Sequence, residues 1–135
     1  MFMAKVYIAS ASGAMKEERL AQDTVSKWNC QRGEKCGTVF VLVPHDASPD
    51  VYVFVIDNYV DRALVESVIA TGSKVLLFFS RYHDPKNTME SEIQAIEEFR
   101  GRLKSNCECI DYNGIQAFES LFVGMLDNLA REQYN

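Results

Sequence analysis

Residues 49–80 read PDVYVFVIDNYVDRALVESVIATGSKVLLFFS, and this stretch decides the fold. Val51–Ile56 and Val75–Phe79 are unbroken apolar runs of strand length. Neither alternates apolar with polar residues, which is the pattern of strands covered on both faces. Between them, from about Val60 to Thr71, Leu64, Val65, Val68 and Ile69 fall on one side of a helix, and Gly72 follows as its stop. Strand, helix and strand in that order predict two parallel neighbours joined by a crossover, at the middle of a sheet.

The flanking sequence extends the same alternation. Lys5–Ala9 (KVYIA) predicts a first strand, and Ser10–Gly13 is a small-residue turn able to bring backbone N–H groups close to a ligand. Ala21, Val25 and Trp28 then recur at helical spacing between Met15 and Asn29, and the polar residues Cys30–Gly37 read as a connection. Thr38–Val43 (TVFVLV) is a second strand, closed by Pro44. Only His45–Asp50 separates it from the next strand, too few residues for a crossover helix. Further on, Asn87 with Glu90 has the spacing of a capping box, opening a helix marked by Met89, Ile93, Ile96, Arg100 and Leu103. Cys107–Tyr112 is the last strand, and Phe118, Leu121, Phe122, Met125 and Leu129 mark a closing helix. The expectation is one α/β domain over residues 1–135: three layers around a five-stranded parallel sheet of flavodoxin-like order 2-1-3-4-5, with a shortened connection between strands 2 and 3.

Charge narrows the partners. Fourteen basic against nineteen acidic residues give a net charge of −5, which disfavours nucleic acid and anionic membrane surfaces. Met1–Ile8 is apolar but short and interrupted by Lys5, so neither a signal peptide nor a membrane span is expected, and the default location is the cytoplasm. The four cysteines, Cys30, Cys36, Cys107 and Cys109, are then expected as reduced thiols. Their C-x5-C and C-x-C spacings lack the C-x2-C knuckle of a zinc site, so no metal and no cofactor is expected.

In an open parallel sheet the ligand crevice lies beyond the carboxyl ends of the strands. That rule selects Ser10, Ser12 and Gly13 after strand 1, His45 after strand 2, Asn58 and Tyr59 after strand 3, and Arg81 and His83 after strand 4 as substrate-binding candidates. No G-x-G-x-x-G, P-loop, G-x-S-x-G or H-E-x-x-H motif is present. Dinucleotide-dependent hydride transfer, P-loop phosphate binding, serine hydrolase and zinc-protease chemistry therefore gain no support.

The central segment resembles the nucleoside 2-deoxyribosyltransferases and the wider group that includes Toll/interleukin-receptor-type NAD-cleaving domains. The residues carrying this resemblance are Asp57 and Asp61 after strand 3, then Glu66, Ala70, Gly72, Lys74 and Val75. The opening KVYIASASGAMKEER is also similar to that of related bacterial domains of undefined function. The resemblance implies N-glycosidic bond chemistry on a nucleoside or NAD-like nucleotide. Glu66 would attack or stabilise the anomeric carbon, with Asp57 or Asp61 orienting it or bonding the leaving base. The chain departs from the transferase pattern at Asp61-Arg-Ala-Leu, which lacks a glycine, and at Val68, which stands in place of another. The alternative reading is a non-catalytic domain that binds a partner or forms a homo-oligomer through small-residue helix positions such as Ala63, Ala70 and Gly124. A flavin mononucleotide or phospho-acceptor module fits less well, because the loops lack a Ser/Thr-rich phosphate cradle and strand 1 does not end in an acidic pair.

Overall fold

The computed structural model describes residues 1–10, 14–57, 61–81, 89–103 and 107–132. Five parallel strands, β1 (Phe2–Ser10), β2 (Thr38–Leu42), β3 (Val51–Ile56), β4 (Lys74–Ser80) and β5 (Glu108–Tyr112), form one sheet in the order β2-β1-β3-β4-β5. This is the expected α/β class and strand order. Helices α1 (Met15–Trp28) and α5 (Ile115–Glu132) lie on one face, where Val25, Trp28, Phe118, Phe122 and Leu126 bury against Val6, Val53, Val55, Leu76 and Phe78. Helices α3 (Arg62–Ala70) and α4 (Glu90–Leu103) cover the other, where Val65, Val68, Ile96, Phe99 and Leu103 pack on Phe54, Ile56, Leu77 and Phe79. The two apolar runs of the central stretch are buried at every position from Val51 to Ile56 and from Val75 to Phe79. Gly72, at φ +80°, ends α3 as expected. No helix among the described residues is long and apolar enough to cross a membrane.

The short connection between β2 and β3 has a specific geometric basis. β2 pairs with β1 over Phe2–Val6, while β3 pairs with the opposite side of β1 over Val6–Ser10. One strand therefore ends at the height where the other begins. The Val43 N–H donates to the Val6 carbonyl on one side of β1, and the Asp50 N–H donates to the Lys5 carbonyl on the other. The Asp50 carboxylate also accepts the Lys5 N–H at 2.8 Å. Crossing β1 requires only a few residues, and a single 3-10 turn, His45–Ala47, supplies them. Among the described residues no helix lies over β1 and β2 on the α3/α4 face; Met3 and Lys5 are exposed, and Val39 and Val41 opposite them are half-buried.

The edge of β2, by contrast, is covered. Residues 30–37, expected as a connection, instead continue α1 as a π-turn (Asn29–Gly33) and a last turn, α2 (Glu34–Cys36). The wider π spacing aligns Asn29 and Gly33 along the outer edge of β2. The Asn29 carboxamide accepts the Phe40 N–H and donates to the Phe40 carbonyl, both at 2.9 Å, in the manner of a neighbouring strand. Gly33 backs directly onto Thr38: a Cβ there would stand 2.9 Å from its carbonyl oxygen. Asp127 ties the same turn to α5 by accepting from the Trp28 indole and from Arg32.

Asn29→Ala strands two backbone groups of Phe40 and is expected to cost roughly 2 kcal/mol in urea denaturation. Gly33→Ala would gain about 1 kcal/mol in an open helix, but here the contact with Thr38 reverses the sign. The exposed neighbour Gln31→Ala should stay within about 0.5 kcal/mol of the parent. Equal midpoints for all three variants would remove the edge-covering role of the π-turn.

Candidate functional site

Strand register brings a row of polar side chains together at the carboxyl end of the sheet, on the α1/α5 face. Ser10 stands beside Val55 of β3, whose side chain lies in the core on that face. Two residues beyond Val55 comes Asp57, and Ser80 of β4 pairs with Tyr112 of β5. Alternation along the strands directs all four side chains to the same side. The first turn of α1 then lays Glu17 over the row.

The electrostatics of the row follow from burial and mutual charge. Burial raises the Glu17 carboxyl from its ordinary value, and the negative charge of Asp57 adds to the rise. A hydrogen bond to its own backbone N–H and the neighbouring Lys16 act in the opposite direction without cancelling it. Burial likewise raises Tyr112, with further contributions from Glu17 and Asp57, while a hydrogen bond to Ser80 pulls it back. Tyr112 thus remains a neutral hydroxyl. Among the described residues, Ser10 has a buried hydroxyl oxygen with no hydrogen-bond partner. Two carboxyl groups in electrostatic contact, one biased towards its protonated form, are the components of acid–base chemistry.

The residues expected from sequence divide among several places. Ser10 and Asp57 belong to the row. Asp61 caps α3, its carboxylate accepting the Leu64 N–H at 3.1 Å, and its charge acts on Tyr7 across the opposite face of the sheet. Glu66 lies on the side of α3 that faces α4, with its side chain 50% exposed and 3.6 Å from the Arg102 guanidinium. Arg81 donates its backbone N–H to Tyr112 but directs its guanidinium to Glu97 on α4, away from the row. His45 is not at the carboxyl edge: since β2 stops at the height of Val6, its ring lies over the middle of β1, with centroids 5.6 Å from both Tyr7 and Tyr52. Ser12, Gly13, Asn58, Tyr59 and His83 lie outside the described residues.

Glu17, Ser80 and Tyr112 were not selected from sequence. A weak signal existed for Glu17, because the amino end of the helix after strand 1 must lie at the carboxyl edge. Its place among Glu17 and Glu18 in a first turn reads equally as compensation of the helix dipole. Ser80 and Tyr112 depend on the register of β4 with β5, which composition does not encode.

Among the described residues no three His, Cys, Asp or Glu side chains gather into a metal-binding group. Cys30 and Cys36 lie at the β2 edge, while Cys107 and Cys109 lie at the β5 edge, with the width of the sheet between them. Burial, with Cys109 adjacent, pushes the Cys107 thiol up to about 12. A cleft of about 530 Å³ beside α5, lined by Leu76, Ile110, Leu121 and Met125, opens near the amino ends of β4 and β5. It is therefore remote from the polar row.

No protein-family model matches the chain, and no curated protein does. Among solved structures, a de novo designed Rossmann fold protein aligns over 93% of this chain and 97% of its own, at 13% identity and a TM-score of 0.40.

The raised Glu17 carboxyl has a consequence for stability. The folded state holds this proton more tightly than the unfolded state, so its contribution is present below the ordinary carboxylate pKa and is lost as pH rises through the folded value. Glu17→Gln removes the loss. The variant is expected to be more stable than the parent at pH 7, with the difference closing towards pH 4. Urea denaturation at both pH values checks this, and a variant less stable at pH 7 would contradict it.

Proposed function

We propose that this chain cleaves or transfers the N-glycosidic bond of a nucleoside or NAD-like nucleotide at the carboxyl edge of its sheet, with Glu17 and Asp57 as the working pair. The observation that carries this reading is the raised Glu17 carboxyl beside Asp57. Glycosidic cleavage passes through an oxocarbenium-like transition state, which an ionised carboxylate stabilises and which forms more readily when the departing base is protonated. In this reading Asp57 supplies negative charge next to the anomeric carbon. Glu17 gives its proton to the leaving base as the C–N bond pair departs with it. Water, or the nitrogen of an incoming base, then bonds to the anomeric carbon and returns a proton to Glu17. Tyr112, held by Ser80, and the buried Ser10 hydroxyl lie beneath this pair and position it. The Asp57 carboxylate suits a cationic transition state, and the exposed, Arg102-paired Glu66 has no step in this scheme.

Release of free base from a nucleoside panel, and of nicotinamide from NAD, measured chromatographically, tests the reading. Glu17→Gln and Asp57→Asn should each lower the rate about 100-fold or more, with Glu66→Gln within about twofold of the parent. Activity in the parent should also fall as pH rises through the raised Glu17 value, because the acid form is the one required. Loss of activity in Glu66→Gln with retention in Glu17→Gln would move the chemistry to α3. No release from any substrate would refute catalysis at this edge.

A further inference from the structure

The polar row leaves the opposite, α3/α4 side of β1 and β2 without a role. On that side Met3 is 56% exposed, Lys5 is exposed, and Val39 and Val41 stand opposite Met3 and Lys5. Two features describe what this face accepts. The first is its shape: two strands make a strip about 10 Å wide, and the five paired positions of β2 make it about 16 Å long, the footprint of one α-helix of roughly 11 residues. α3 and α4 already form a helix layer on this face, and among the described residues the strip beside them carries no helix. At its upper end, His45 packed against Tyr7 and Tyr52 closes it.

The second feature is charge. Lys5 stands between Met3 and Tyr7 along β1 and opposite Val41, near the centre of the strip. Among the described residues its ammonium makes no ion pair. A second copy laid face to face with its two-fold axis through the centre of the strip would set Lys5 against Lys5, a repulsive arrangement. The β2 edge, already bonded by Asn29, is also closed to a copy adding as a strand. We propose that the bare β1–β2 face is the docking surface for an amphipathic helix of a partner protein, whose apolar stripe carries one carboxylate opposite Lys5.

Two synthetic helical peptides of about 14 residues serve as probes, each with a leucine stripe on an alanine and glutamine background, one with Glu and one with Lys at the centre of the stripe. Titration into the isotope-labelled full chain, followed by amide NMR, should show the Glu peptide shifting Met3, Lys5, Val39 and Val41. It should bind about tenfold more tightly than the Lys peptide, and the order should reverse in Lys5→Glu, an exposed change that leaves the core untouched. The proposal is overturned by absence of saturable shifts with the Glu peptide, by shifts centred elsewhere, or by equal affinity for the two probes. Sedimentation velocity on the unliganded chain adds a further check: a dimer disrupted by Lys5→Glu would make a second copy the occupant and refute a partner helix.

Discussion

The structure depends on how β1 shares its hydrogen bonds between two neighbours. β1 is paired on one side over its first half and on the other over its second, and Val6 is the residue common to both registers. Each half of the strand exposes one side to be satisfied by something other than a full-length neighbour. On the β3 side, Asp50 completes the lower part by bonding Lys5 through both its backbone and its carboxylate. The offset also sets the height at which β2 ends, and hence that the chain crosses β1 without a helix. The bare face, the position of His45 and the exposure of Lys5 all follow from this arrangement.

Much of the fold was legible because the strongest signal coincided with the strongest physical term. Val51–Ile56 and Val75–Phe79 lack any polar residue, and strands of that kind are tolerated only where both faces are covered, which places them centrally. The shortness of the β2–β3 connection was equally plain from residue count. Its consequence for His45 was not, because rules about carboxyl edges assume that strands end at a common height, and β2 does not. The π-turn escaped notice for a related reason: Cys30–Gly37 has the composition of a loop, and its helical path is set by the bonds between Asn29 and Phe40. Tertiary contacts there outweigh local propensity.

The candidate site shows the same division. Ser10 and Asp57 could be found by noting where strands 1 and 3 end, since each is bound to its own strand. Glu17 and Tyr112 reach the row only through the packing of α1 on the sheet and the pairing of β4 with β5. Glu66 was selected by the pattern of a short segment, yet a helix rotates successive residues by about 100°, and the apolar side formed by Val65 and Val68 leaves Glu66 facing α4. The motif determines neighbours along the chain; the buried face of the helix determines where the carboxylate points.

The open edge of β2 and the bare face of β1 and β2 are treated differently, and the contrast bears on selectivity. An open strand edge bonds almost any extended chain, since backbone groups carry no identity, and that edge is shielded by Asn29 and by the close approach of Gly33. The bare face is left open, but with a lysine near its centre. An apolar surface without charge would accept any hydrophobic segment, whereas burial of an unpaired ammonium costs several kcal/mol and disfavours occupants that offer it no acceptor. Lys5 therefore reduces indiscriminate association while permitting a charge-matched helix, which is discrimination by penalising the wrong partner as well as by favouring the right one.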